Sequence, residues 1–340
     1  MGIFSTQNMK RNIIILALVL AGGIAFAIGI IRPNAESQNL EEEIMEETLA
    51  PEETQPSRAE LNMKALAAAY YWCIEKVEYR TANSVDNVNG VGNDWAVFMK
   101  DTWYYYAGGR MLTEDLLDNA SEYMGAFVSY NYQRELPPWT EPSAEQADRF
   151  RNRNNNNSNN SNNAATPRPQ LRRSLAFQEA LWHAGSKSEV SERIKPVTFL
   201  GYTVPMHSDI ADILSKVEQR ILDIAKTDPV VQTWINNIGE MHGWNWRNIA
   251  GSASRSNHSY GIAIDILPKS LDGKATYWQW TANWWSIPYE GRYHPPEAAI
   301  KTFESYGFIW GGKWTYYDTM HFEFRPEVFI LSGIELASDY

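Results

Sequence analysis

Apolar residues recur at helical spacing in the last half of the chain. Ile210, Ile213, Leu214, Val217, Ile221 and Ile224 fall on one stripe, and Ser208 is placed to cap that helix. Asp228-Pro229 ends it and opens another, with Pro in the first turn and Trp234, Ile235 and Ile238 turned inward. The period then changes. Ile262, Ile264 and Ile266 alternate with Gly261, Ala263 and Asp265, which predicts a strand. Pro295-Pro296-Glu297 begins a third helix and Gly307 closes it. Residues 308–310 read as a short strand, Gly311-Gly312 as a turn, and 320–324 as a further strand. On that strand Phe322 and Phe324 take one side, and His321 and Glu323 the other. Helices followed by short strands predict an α+β domain over 171–340: a small mixed or antiparallel sheet with flanking helices.

The first half is patterned differently. Lys10 and Arg11 precede an apolar run over 13–31, which Arg32 and Pro33 end. At about 1.5 Å per residue the run is long enough to span a bilayer as a transmembrane helix. Basic residues before it place the N-terminus in the cytoplasm and the body outside. The alternative for 1–32 is a cleaved signal peptide, with Ala25-Phe26-Ala27 as the cleavage site. Residues 33–57 are acidic and poor in large apolar groups, so they read as a disordered stalk. Residues 58–150 carry core-forming content, with helical patterning over 65–74 and aromatic residues over 94–106. They predict a small, mainly helical region without evident chemistry. RNRNNNNSNNSNN, at 151–163, cannot bury a core, and 151–170 reads as a flexible linker.

Composition narrows the chemistry. The chain has 340 residues, room for about two domains. A net charge of -11 leaves no basic footprint, so nucleic acid is excluded as a partner. The one cysteine, Cys73, excludes an internal disulfide framework and any Cys-based zinc site. A bound metal would therefore take His, Asp or Glu ligands.

Such ligands stand out in SRSNHSYGIAIDI, at 254–266. In the strand reading Asp265 shares its face with Gly261 and Ala263, two small side chains that leave room beside the carboxylate. A buried carboxylate needs a cation or several donors, and a divalent metal would meet that need. His258 lies in the turn before the strand. A catalytic zinc wants three protein ligands and one open position, and His321 on the later strand is the natural third. Taken singly, each reads as structural: His258 as a turn residue, Asp265 as a backbone cap, His321 as a strand residue. His183, His207, His242 and His294 have no comparable context, nor has Arg255.

Residues 256–265 match the pattern S-x-H-x-x-G-x-A-x-D, and Asp318-Thr319-Met320-His321 matches a later [D/E]-x-x-H. Together these resemble the M15 family of zinc peptidases, which includes D-alanyl-D-alanine carboxypeptidases and dipeptidases and L-alanyl-D-glutamate endopeptidases. The resemblance covers roughly 195–330 and implies the hedgehog/DD-peptidase type of fold. It implies zinc bound by His258, Asp265 and His321, and a carboxylate base at Asp318. Carboxypeptidase branches usually have Glu there, and Asp is similar to the endopeptidase-like branch, so the scissile bond stays open. Glu323 is the rival base, or it accepts the ring N–H of a ligand histidine. Arg247 resembles the family's upstream Arg, placed to stabilise an oxyanion or to clamp a substrate carboxylate. The implied substrates are peptidoglycan stem peptides, met in the periplasm or extracytoplasmic space by a membrane-anchored enzyme. The alternatives are a non-catalytic wall-binding or scaffold protein on the same fold, or a functional N-terminal region that the zinc domain only targets. Tyr277, Trp278, Trp280, Trp284, Trp285, Tyr289 and Tyr293, between the two motifs, read as core or as the wall of a groove.

Overall fold

Ser57 accepts the amide of Glu60 through Oγ at 3.1 Å and so starts α1 (Arg58–Ala69). The computed structural model describes residues 56–81, 93–123, 125, 132, 133, 135–158, 174–249 and 254–340. Among these, no helix is long and apolar enough to cross a membrane. The apolar run 13–31 and the acidic stretch 33–55 lie outside the described residues.

The first region is not mainly helical. After α1 come β1 (Lys76–Thr81), β2 (Asn93–Met99) and β3 (Thr102–Tyr105), which form an antiparallel sheet in that order. The aromatic and β-branched residues of 94–106 fit a pleated surface, which overrides a helical reading. Lys100 and Asp101 both take positive φ, 50° and 57°, and join β2 to β3 in the two-residue turn that suits strand twist. This region has a small buried cluster of its own around Tyr105, Leu112 and Leu117, but its helix α1 packs into the main core. Met63, Leu66 and Tyr70 belong to the same buried cluster as Phe199, Leu214, Ile264 and Phe322. Tyr70 packs edge-on against Trp182 and Phe324, with ring centroids 5.6 and 6.5 Å apart. The Asn-rich tract also begins as structure, because α2 (Ala144–Ser158) runs into it. Residues 159–173 lie outside the described residues.

Two short helices, α3 (Ala176–Leu181) and α4 (Lys187–Ser191), lead into a hairpin of β4 (Ile194–Phe199) and β5 (Tyr202–His207). The predicted stripe is realised in α5 (Ser208–Ala225), which buries Ile210, Leu214, Val217 and Ile221. Its cap is His207 rather than Ser208: the His207 ring accepts the amide of Asp209 at 3.3 Å. Asp228 caps α6 (Pro229–Asn236) through Oδ1, 2.8 Å from the amide of Val230. Ile238 does not continue that helix. It starts β6 (Ile238–His242). Then follow β7 (Ala263–Pro268), α7 (Glu297–Ser305), β8 (Phe308–Trp310), β9 (His321–Phe324) and α8 (Pro326–Leu331). The four-stranded sheet has the order β6-β7-β9-β8, antiparallel throughout. The architecture is α+β, as the pattern predicts.

Candidate metal centre and its cleft

Strand register brings the first two candidate ligands together. Asp265 on β7 pairs with His321 on β9, and Ala263 pairs with Glu323. Directly opposed residues share a sheet face, so these four side chains lie side by side. On the other face Ile264 and Phe322 enter the core. The methyl of Ala263 leaves the room that a larger residue would take from the carboxylates.

His258 arrives from a one-turn 3-10 helix, Asn257–Tyr260, capped by Ser256. Gly261 ends the turn at φ 71°. A Cβ there would come within 2.5 Å of Ile194 Cδ1 and 2.9 Å of the His207 amide nitrogen. Glycine is therefore required both by conformation and by close approach. This turn swings the His258 ring over Asp265.

His258 Nδ1 lies 2.7 Å from the carbonyl oxygen of Gly243, which makes Nδ1 the protonated nitrogen. Its Nε2 faces inward, 3.1 Å from Asp265 Oδ2 and 3.3 Å from His321 Nδ1. His321 Nδ1 is 2.8 Å from Asp265 Oδ1. A tetrahedral ion with bonds of about 2.0–2.1 Å sets its ligand atoms roughly 3.4 Å apart, close to these spacings. Electrostatics agree. Burial alone would raise the Asp265 pKa, but hydrogen bonds from His258 and His321 hold it well below the usual carboxylate range. Burial would lower the His321 pKa, yet Asp265 and Glu323 raise it well above normal. The site thus draws positive charge to the place where the three ligand atoms meet. His258, Asp265 and His321 are all buried and could hold a metal ion.

The outer nitrogen of His321, Nε2, lies 3.1 Å from Glu323 Oε2. Glu323 is fixed in turn by Asn257 Nδ2 at 2.6 Å and by Arg325 Nη1 at 3.7 Å. Burial raises its pKa, but His321 and Arg325 outweigh that and keep it low. Arg325 also pairs with Glu327, which accepts Tyr70 OH at 2.6 Å. A buried chain of alternating charge therefore runs from α1 to a candidate ligand. Sequence reading missed Asn257, although it stands next to His258, and missed Tyr70, whose partner is 257 positions away.

Asp318 sits on the same cleft, which has a volume of about 850 Å³. Its Oδ1 is sealed from solvent with no hydrogen-bond partner among the described residues. Burial pushes its pKa up to about 7, against the pull of His321 and Arg247. Arg247 lines the cleft too. Its backbone is clamped by Ser259, whose Oγ accepts the Arg247 amide at 2.8 Å and donates to the Arg247 carbonyl at 2.6 Å. Arg255 lines the cleft as well, but it is held stacked on Trp246 at 3.9 Å and 3.8 Å from Glu179.

The remaining histidines stay out of the ligand set. His207 is buried, 3.1 Å from the Trp182 carbonyl, and His294 lies 2.8 Å from the Tyr289 carbonyl. His242 pairs with Asp265 across β6 and β7, but its exposed ring bonds Glu240 at 3.1 Å. His183 caps no ligand either; burial lowers its pKa. The aromatic residues between the motifs divide. Trp284 and Trp285 are buried in a cluster with Tyr317, whereas Tyr277, Trp278 and Trp280 line the cleft.

Two imidazoles and a carboxylate thus converge on a small antiparallel sheet, beside a second, orphaned carboxylate, in an arrangement that could hold a metal ion. Residues 250–324 match the family model described as D-alanyl-D-alanine carboxypeptidase, which supports an M15 family peptidase. The matched segment contains His258, Asp265, Asp318, His321 and Glu323, and Arg247 lies just before it. No solved structure matches the chain.

Proposed function

We propose that this protein is a zinc-dependent peptidase that cleaves peptidoglycan stem peptides, with D-alanyl-D-alanine carboxypeptidase as its leading activity. The observation that carries this reading is the convergence of His258, Asp265 and His321 with the unpartnered Asp318 in one cleft. The family match supports it. The donor set, two nitrogens and one carboxylate oxygen, suits zinc. A divalent ion held there would supply Lewis acidity to the scissile carbonyl and acidify the attacking water.

The protein's own groups divide the remaining work. Gly243 and Glu323 orient the two imidazoles. Asp318 is the general base, since it alone among the nearby carboxylates has an oxygen without a partner and a pKa near neutrality. It takes the proton of the water and passes it to the leaving amine. Glu323, held by three neighbours, positions His321 instead. Arg247 faces the cleft as the cation that meets the oxyanion or the substrate carboxylate. The apolar run 13–31 supports an exported, membrane-tethered enzyme that meets cell-wall peptides outside the cytoplasm.

The test uses the full-length protein with purified muropeptides, with and without chelator, and products read by mass spectrometry. Chelator-sensitive loss of terminal D-Ala is the expected result. Cleavage after L-Ala would instead assign an endopeptidase. No product from a metal-loaded protein would overturn the enzyme reading in favour of a wall-binding module.

A further inference from the structure

A second cavity, of about 900 Å³, adjoins the catalytic cleft, and Trp314 and Tyr316 line both. Trp314 also stands over the His321 ring, with centroids 5.5 Å apart. The far wall comes from outside the family match: Trp139 on the segment after Pro138, and Phe150 on α2. Phe150 anchors that wall by packing on Trp284 and Tyr316, at centroid distances of 4.9 and 6.0 Å.

The lining is mixed in a particular way. Aromatic rings alternate with the amides of Gln133 and Gln146 and the hydroxyls of Thr140 and Thr315; Lys313 also lines the cavity, its charge paired with Glu304, and no carboxylate is in the lining. Arg292 is 6 % exposed, and its Nε and Nη2 both donate to the Ile287 carbonyl, at 3.1 and 2.9 Å. Its other neighbours are the rings of Tyr289 and Tyr317, and no carboxylate pairs with it among the described residues. A purely apolar ligand would strand these polar groups, and a cation would meet Arg292. The lining suits a neutral ring compound with an apolar face for the aromatics and hydroxyl or acetamido groups for the amides and the guanidinium.

We propose that this cavity is a saccharide subsite that holds an N-acetylated sugar of the glycan strand while the attached stem peptide enters the catalytic cleft past Trp314 and Tyr316. The proposal rests on the stem-peptide reading of the cleft. It makes the enzyme selective for peptides still joined to glycan. The segment 135–150, which lies outside the family match, then serves as substrate recognition.

Full-length protein would be titrated with N,N',N''-triacetylchitotriose, and kcat/KM compared for a disaccharide pentapeptide and the free pentapeptide. Trp139→Ala and Gln146→Ala would be measured beside the native protein. The expected result is saccharide binding and a preference of about tenfold or more for the disaccharide substrate, equal to roughly 1.4 kcal/mol. Both variants should weaken binding and preference while free pentapeptide is cleaved at the native rate. Equal turnover of the two substrates without chitotriose binding would overturn the subsite, as would variants that slow both substrates equally. Chitotriose binding with no hydrolysis of either peptide would keep the subsite and sink the peptidase reading instead.

Discussion

Asp265 and His321 face each other across β7 and β9, with Oδ1 and Nδ1 2.8 Å apart. Strand register sets this pair, and a slip of one residue would turn either side chain to the other face. Asp265→Asn keeps the shape and removes the charge. Metal affinity, measured by competition with a chelating dye, should fall by more than the roughly 10–100-fold that loss of an outer partner costs.

Glu323→Gln tests the division of labour between carboxylates. If Glu323 orients His321, the variant loses metal affinity by about 10–100-fold and regains most activity in excess zinc. Unchanged affinity with collapsed kcat would make Glu323 the base.

Asp318→Asn should retain metal and lose about 10²–10⁴-fold in kcat. The same change has a signature in stability. In the metal-free protein burial raises the Asp318 pKa from 3.8 to about 7. A carboxyl raised on folding contributes stability below its unfolded pKa, and that contribution is lost as pH rises through 7, by roughly 4 kcal/mol in all. Chelated native protein should therefore lose stability relative to Asp318→Asn between pH 4 and 7, read by urea unfolding at each pH. Activity runs the other way, because the base must be ionised. A bound cation lowers its pKa, so the acidic limb of kcat/KM should fall below pH 7.

The shared core predicts that the first region is indispensable. Leu66→Ala should cost about 2–5 kcal/mol in a single unfolding transition that includes the metal site. A chain starting at 171 should not fold to a native state. Tyr70→Phe leaves buried Glu327 short of a donor, at about 1–3 kcal/mol, and should also weaken metal binding through Arg325 and Glu323.

Gly261→Ala forces a side chain into a positive-φ turn against Ile194 and the His207 amide. A loss of a few kcal/mol and reduced metal occupancy are expected, by thermal unfolding and metal analysis. Gly201→Ala, at φ 86° but with open space around its Cβ position, should cost less and leave the metal site intact.

Much was readable in the order of residues because the information is local. The α5 stripe, the 261–266 alternation, the helix break at Asp228-Pro229 and the strand ending at Phe324 each depend on neighbours within a few positions. The His258, Asp265 and His321 set was legible through short motifs whose spacing records a turn and a strand. Tertiary structure decided what depends on long separations. Residues 94–106 became strands because aromatic alternation finds a sheet partner. His207 displaced Ser208 as the cap because its ring is held by Trp182, 25 positions away. Glu323 could be a base or a support from its strand position alone; Asn257, Arg325 and the ring of His321 surround it only after folding. Register and core packing are collective, since each pair gains its energy only when distant segments meet, and so the role of Asp318 and the reach of Tyr70 appear only in the folded chain.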